Sequence, residues 1–144
     1  MVIRELKKVS ANACREVNHL LLQLLHDPKD YRPLSLSALR GIVDDKKTIV
    51  VVVYDGVRII GMGLLFLITK PRGRYAYIED MVIDIAYRGR GLGKKLARKL
   101  IAAARSRGVR CIELSTRPSR VAANKIYQDI GFKRKETNVY RLKL

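Results

Sequence analysis

The sequence predicts a mixed α/β domain whose elements run β-α-α-β-β-β-α-β-α-β-β, with a largely antiparallel first half. Three observations carry this. A Val-rich run, Thr48 to Tyr54, meets the turn signal Asp55-Gly56 and returns as a second apolar run, the pattern of a hairpin. Leu- and Ala-rich segments repeat at helical spacing before and after it. A strand-like stretch, Tyr75 to Ile83, leads through the glycine-rich Arg88-Gly89-Arg90-Gly91-Leu92-Gly93 into another helical pattern.

The elements follow in order. Val2 to Lys7 reads as a short strand. Ser10 is a helix N-cap, and Val17, Leu20, Leu21, Leu24 and Leu25 line one side of the helix it opens. Asp27-Pro28 ends that helix. Ser35 or Ser37 caps a short second helix with Leu36, Leu39, Ile42 and Val43 facing inward. After the Thr48–Tyr54 strand, Val57 to Thr69 returns, and Gly61 and Gly63 within it mark a bulge or a close backbone approach. The turn Lys70-Pro71-Arg72-Gly73-Arg74 precedes the fourth strand. The helix after the glycine loop spans Leu92 to Ser106, with Leu92, Leu96, Leu100, Ala103 and Ala104 on its buried stripe and Gly108 as its stop. Arg110 to Ser115 is a fifth strand, and Pro118-Ser119 precedes a helix that ends near Ile130 at Gly131. Phe132 to Leu144 is expected to form a final pair of strands around Glu136–Asn138.

Length and composition bound the function. The 144 residues predict one domain, 1–144, with room for a sizeable core, and the 48% hydrophobic content excludes a disordered chain. No apolar run approaches the ~20 residues of a membrane span. Met1-Val2-Ile3-Arg4-Glu5 has no signal-peptide layout, so a cytoplasmic location without a membrane partner is expected. Cys14 and Cys111 lack ligand-spaced partners, so neither zinc nor a disulfide framework is expected; His19 and His26 read as ordinary residues in or just after a helix. The formal net charge of +17 favours anions: nucleic acid, acidic protein surfaces, anionic metabolites or phosphorylated cofactors. A solvated basic surface without a cognate macromolecule explains the same number.

The glycine-rich segment carries the chemistry. The first N–H groups of a helix have no partner inside it, the dipole is positive there, and glycines let the preceding loop close around an anion. A strand, such a loop and a helix start therefore form a cradle for phosphate. A nucleotide P-loop fails, because Gly93-Lys94 is followed by Lys95 and Arg88 occupies the first glycine position. A dinucleotide fingerprint is weak, because Gly89, Gly91 and Gly93 are spaced G-x-G-x-G behind an antiparallel pattern. The pattern R-x-x-G-x-G after a strand is satisfied by Arg88, Gly91 and Gly93.

At these residues the chain resembles the GNAT superfamily of acetyl-CoA-dependent N-acetyltransferases. Met81-Val82-Ile83 followed by Arg88-Gly89-Arg90-Gly91-Leu92-Gly93-Lys94 looks like the family's strand and pyrophosphate loop. The stretch from Arg120 to Phe132 looks like its downstream helix, with Tyr127 standing before Gly131-Phe132. One helix and one strand separate the two motifs, as the family requires, and the order of elements matches a GNAT-type acyl-CoA N-acyltransferase fold over nearly the whole chain. Ile85 stands where many members have Pro, which affects loop stiffness more than chemistry. Some relatives carry a cofactor-contacting Asn at the Arg120 position; here the Asn is at 124.

The resemblance implies transfer of an acetyl group from acetyl-CoA to an amine by direct attack in a ternary complex, with CoA as product. It implies N–H groups of Gly89, Arg90, Gly91, Leu92, Gly93 and Lys94 on the pyrophosphate, with charge from Arg88 and Arg90. The pantetheine arm would pair with the edge of Met81-Val82-Ile83 like an added strand, and the Val82 N–H is the expected oxyanion donor. The attacking amine must be neutral, although a free alkylamine titrates near ~10.4. Glu79, acting through water, is the expected base. Asp80 is the alternative, because strand alternation points the two carboxyls to opposite faces. Glu79 also reads as an acid that merely pairs with surrounding cations. Tyr127 is the expected proton donor to the departing thiolate, against a reading as a core residue beside Phe132. Asn124 is a candidate cofactor contact.

The acceptor is less defined. A cationic field disfavours polyamines and Lys-rich tails and favours acceptors with phosphate or carboxylate beside the amine. Part of the charge (Arg88, Arg90, Lys94, Lys95, Arg98 and Lys99) sits in or after the loop and serves CoA equally well. Tyr31, Tyr75, Tyr77, Asn138 and Tyr140 are candidate pocket residues. A small-molecule or amino-acid-type acceptor leads; protein N-termini or Lys are the alternative, and a non-catalytic nucleic-acid-binding module is the reading from another class. Against the last stands an aromatic content of 6% with no Trp. Dimers are common in the resembled family, so a homodimer is an allowed partner.

Overall fold

Alternation along the Val-rich strand decides the layering. In the computed structural model, which describes residues 1–144 with the side chain of Pro28 excepted, Val50 and Val52 enter one core and Val51 and Val53 another. A strand sends successive side chains to opposite faces, so a run of valines buried on both faces belongs inside a covered sheet. The strands are β1 Val2–Glu5, β2 Thr48–Asp55, β3 Arg58–Lys70, β4 Gly73–Ile83 and β5 Cys111–Leu114. They lie in the order β1-β2-β3-β4-β5, antiparallel except for the parallel pair β4–β5.

The helices cover the two faces. Helix α1, Ala11–Leu24, is opened by Ser10, whose side chain accepts from the Ala13 N–H at 3.1 Å. Helix α2, Leu36–Asp44, is opened by Ser35 in the same way. Together they bury Val17, Leu20 and Leu39 against Val50, Val52, Met62 and Leu64. On the other face helix α3, Leu92–Arg105, buries Leu96 and Leu100 against Val51, Val53, Ile60 and Leu65. Each such side chain contributes roughly 1.5–3 kcal/mol by leaving water. Helix α4, Val121–Asp129, follows β5 and packs on α3.

Gly61 and Gly63 are the close approach expected of them. A Cβ on Gly63 would stand 2.9 Å from Leu100 Cδ1, and one on Gly61 would stand 2.6 Å from Ile83 Cδ1 and 3.1 Å from the Val82 carbonyl oxygen. The missing side chains let α3 and β4 settle onto β3.

The final pair of strands expected in Phe132–Leu144 does not form. Among the described residues, 131–144 carry no helix or strand, and Val139, Tyr140, Leu142 and Leu144 are exposed. The apolar alternation of Tyr140, Leu142 and Leu144 is outweighed locally. A hairpin centred on Thr137 would oppose Lys133 to Arg141, the turn offers no glycine, and the four-residue β5 is a short template. Only the first residues of the segment dock: Phe132 packs against the α3-side core, and Lys135 pairs with Glu113 at 2.9 Å.

Candidate active site

The site starts from a break in the sheet. Strands β4 and β5 pair from Tyr75↔Cys111 to Ile78↔Leu114 and then part, so the edge of β4 from Glu79 to Ile83 has no strand beside it. A bulge lies at the same point. Leu64 pairs with Glu79 and Met62 with Val82, so Asp80 and Met81 together oppose Gly63 alone. Asp80 takes φ 47°, in the left-handed region that non-glycine residues rarely enter.

The bulge resets which way the strand faces. Ile78 belongs to the α3-side core and Glu79 lies on the other face; after Asp80 the strand packs Met81 and Ile83 on the α3 side and Val82 on the α1 side. Backbone groups follow the same two-residue period. The Asp84 N–H donates to the Ile60 carbonyl at 2.9 Å, so the Val82 N–H also points to β3. The N–H groups of Met81 and Ile83 face the gap. The oxyanion donor expected at Val82 is therefore turned away from the opening.

The glycine loop adjoins the open edge and is braced from three sides. The Arg88 Nε donates to the Ile83 carbonyl at 3.0 Å. The Ile85 N–H donates to Gln23 Oε1 of α1 at 2.9 Å, and the Tyr87 hydroxyl to Asp55 of the β2–β3 hairpin at 3.1 Å. Asp84, 3% exposed, caps the turn Ile85–Tyr87 through the Ala86 N–H and faces His19 and Arg58, each at 3.5 Å. Gly89 and Gly91 sit at φ 76° and 73°, and Gly91 is the N-cap of α3 without any side-chain cap. The first N–H groups of α3 are thus left for an outside acceptor. Lys94 reaches Asp129 of α4 at 3.8 Å, and Arg90 stacks on Tyr87 at 5.2 Å.

Helix α4 brings Tyr127 to the open edge. Gly93 permits this contact between helices, since a Cβ there would stand 3.0 Å from Ile126 Cδ1. The Tyr127 hydroxyl lies 3.9 Å from Met81 Sδ, and its ring meets Phe132 edge-on at 5.8 Å. Burial raises its pKa above that of a free phenol; the nearby Arg120 charge works against this and the Glu79 charge with it. The Glu79 carboxyl is also raised, first by desolvation and then by Asp80, and desolvation raises Asp80. Both carboxyl residues keep exposed surface, so this desolvation is partial. The two carboxyls sense each other across the bulge, where a regular strand would have turned them to opposite faces.

The other expected residues are less concentrated. The Asn124 amide donates to the carbonyls of Arg117 and Arg120, both at 2.9 Å, and so holds the loop before α4. Arg120 itself donates to the Leu24 carbonyl and ties that loop to the end of α1. Tyr75 and Tyr77 share Lys70 on the α1-side face of the sheet. Tyr31 is held by Asn18 at 3.0 Å. Asn138 and Tyr140 lie on the exposed tail. Sequence reasoning missed Gln23, Asp55, Asp84 and Tyr87 as loop braces. Gln23, Asp55 and Tyr87 find partners 32 or 62 positions away, so no local pattern marks them, whereas Asp84 caps Ala86 two positions on and an Asp before a turn is the signal that could have found it.

Comparison with known proteins bears on the family and the fold. A glucosamine 6-phosphate N-acetyltransferase of Trypanosoma brucei brucei is 34% identical over 123 residues, 80% of this chain and 82% of that protein. Glucosamine 6-phosphate N-acetyltransferase 1 of Oryza sativa subsp. japonica is 36% identical over 67 residues, which span 46% of this chain and 39% of the rice protein. The crystal structure of a Trypanosoma brucei acetyltransferase superposes with a TM-score of 0.79 at 26% identity over 99% of both chains. Among the described residues no helix is long and apolar enough to cross a membrane. The model of the acetyltransferase (GNAT) family matches residues 14–132, and the chain belongs to that family.

Proposed function

We propose that the protein is an N-acetyltransferase that moves the acetyl group of acetyl-CoA to a primary amine on a small acceptor carrying phosphate or carboxylate near that amine. The observation that carries the reading is the unpaired β4 edge, with an uncapped helix N-terminus at one end and Tyr127 and Glu79 beside it. These residues fit the thioester donor in three ways. The N–H groups of Gly89 to Lys94 hold the pyrophosphate; the edge of Met81 to Ile83 holds the amide-rich arm; the N–H of Met81, the residue whose sulfur meets Tyr127, donates to the acyl oxygen as charge develops there.

Glu79 takes a proton from the ammonium of the acceptor, through water, and frees the lone pair for attack. Its raised pKa makes it a better base than an ordinary surface carboxylate. As the carbon–nitrogen bond forms and the carbon–sulfur bond breaks, Tyr127 gives its proton to the departing sulfur, and the surplus proton on the new amide nitrogen returns through water to the phenolate, leaving amide and free thiol. Acetyl-CoA supplies the activated acyl group and the thiolate leaving group.

Two lines support an anionic acceptor: the formal charge of +17, and relatives named for glucosamine 6-phosphate, a phosphorylated amine. The test is thiol release from acetyl-CoA across phosphorylated amino sugars, acidic amino acids, neutral amines, polyamines and peptides. At least tenfold higher kcat/KM for phosphorylated or acidic amines is expected. Equal or better use of polyamines overturns the acceptor class, and absence of saturable acetyl-CoA binding overturns the whole reading.

A further inference from the structure

The end of the sheet remote from the glycine loop is built of arginine. The β3–β4 turn and the start of β4 supply Arg72 and Arg74, and the segment from the end of α3 to β5 supplies Arg105, Arg107 and Arg110. The two segments are laced together. Arg74 Nη1 donates to the Arg107 carbonyl at 2.6 Å, Arg110 Nη1 to the Arg72 carbonyl at 2.7 Å, and the Arg110 N–H to the Arg74 carbonyl at 3.0 Å. Arg107 is held by the Ala103 carbonyl and by Glu5, both at 3.1 Å. Among the described residues Glu5 is the one carboxylate paired with any of these five. Guanidinium planes fixed by carbonyls lose little further freedom when they meet an anion.

This pole continues along a helix. Lys95, Arg98, Lys99 and Arg105 all lie on the exposed side of α3. At the rise of an α-helix they extend for roughly 15 Å, and the pole lies about 20 Å from the loop that opens α3. None of the large exposed apolar side chains belongs to the β3–β4 turn or to 105–110. A stable protein interface needs buried aromatic or aliphatic anchors, and a single-strand site needs rings to stack on bases. A patch of five arginines without either, Arg74, Arg107 and Arg110 among them held by partners, fits a partner read by charge alone.

We infer that this pole and the adjoining outer face of α3 form a docking surface for the phosphodiester backbone of double-stranded nucleic acid, centred at the end of α3 remote from the glycine loop. The contacts are guanidinium to phosphate and carry no base readout.

The test is fluorescence anisotropy of the full chain with a labelled RNA duplex, a DNA duplex of the same sequence, and polyglutamate as competitor. Measurements run between about 50 mM and about 200 mM salt. Micromolar binding that weakens steeply with salt is expected. The double variant R72Q/R105Q should bind at least tenfold more weakly at low salt and flatten the log–log salt slope by about 1.8, two phosphate contacts at 0.9 each. R15Q/R40Q removes the same charge from α1 and α2, on the opposite face of the sheet, and should leave affinity within about twofold. The RNA and DNA arms decide which duplex is preferred. Absence of binding at low salt, or equal losses in the two double variants, overturns the inference. Polyglutamate displacing the duplex at equal charge concentration also overturns it and assigns the surface to an acidic protein.

Discussion

The Tyr127 hydroxyl and the Met81 sulfur stand 3.9 Å apart, which sets the α4 phenol over the second residue of the bulge in β4. Burial holds this phenol further toward its protonated form, and in the proposed reaction it is the proton donor to the departing thiolate. Tyr127→Phe keeps the ring, and with it the edge-on contact to Phe132. Turnover should fall by about 100-fold with acetyl-CoA affinity changed less than about twofold. Stopped-flow turnover and calorimetric titration measure the two separately. Equal losses in both would make Tyr127 a structural residue.

Glu79 and Asp80 give a pH dependence with a defined sign. Both carboxyls titrate above their ordinary values in the fold, and the Asp80 charge is part of the cause at Glu79. The base form of Glu79 therefore accumulates as pH rises through its raised pKa, and kcat/KM should show an acidic limb there. Asp80→Asn removes the like charge, so the limb should move to lower pH; Glu79→Gln should abolish it along with most turnover. The stability sign follows from linkage. A carboxyl raised on folding favours the folded state below its unfolded pKa, and that contribution is lost as pH rises through the folded pKa. Asp80→Asn should raise Tm at pH 7 and leave it unchanged in acid. An acidic limb that stays in place in Asp80→Asn would put the base elsewhere.

The local rules that recovered the elements and the glycine loop were periodicity, turn chemistry and capping, all carried by near neighbours in the chain. Ser10, Asp55-Gly56 and the stripe Leu92, Leu96, Leu100 are each decided within about one helical turn or one hairpin. The bulge at Asp80 was not legible in the same way. Nothing in Ile78-Glu79-Asp80-Met81 marks an extra residue, because the bulge is defined by what β3 places opposite, namely Gly63. The direction of the Val82 N–H depends on that register and was lost with it. The tail failed for the reverse reason: the alternation of Tyr140, Leu142 and Leu144 is a genuine strand signal, but β5, at the edge of the sheet, offers it only four residues to pair with.

Gly61 tests how tightly β3 and β4 must close. Its added Cβ would meet the Val82 carbonyl oxygen at 3.1 Å, which is backbone and cannot rotate away, besides Ile83 Cδ1 at 2.6 Å. Gly61→Ala should destabilise the fold by about 1–3 kcal/mol, as overpacking does, despite the higher strand propensity of Ala. At Gly41 in α2 nothing lies within 4 Å of the added Cβ, and Gly41→Ala should stabilise by about 0.4–1 kcal/mol. Urea unfolding of the pair decides it. A neutral Gly61→Ala would mean that β3 and β4 can separate without cost.

Gly91 separates conformational strain from phosphate binding. It sits at φ 73° as the N-cap of α3, and a Cβ there would meet nothing within 4 Å. Substitution to Ala therefore meets no neighbour but must hold a left-handed backbone, at about 1–2 kcal/mol. Gly56 in the β2–β3 hairpin has the same two properties, φ 58° and open space, with no anion to bind. Both substitutions should lower Tm by similar amounts. Only Gly91→Ala should also weaken acetyl-CoA, by about tenfold or 1.4 kcal/mol, because relaxing the loop turns the first N–H groups of α3 off the pyrophosphate. Gly91→Asn should recover part of both losses, since Asn enters the left-handed region more readily than Ala. Isothermal titration with acetyl-CoA and with desulfo-CoA reads the affinity. If Gly91→Ala and Gly56→Ala prove equal in affinity as well as in Tm, the loop contributes to folding alone and the pyrophosphate is held elsewhere.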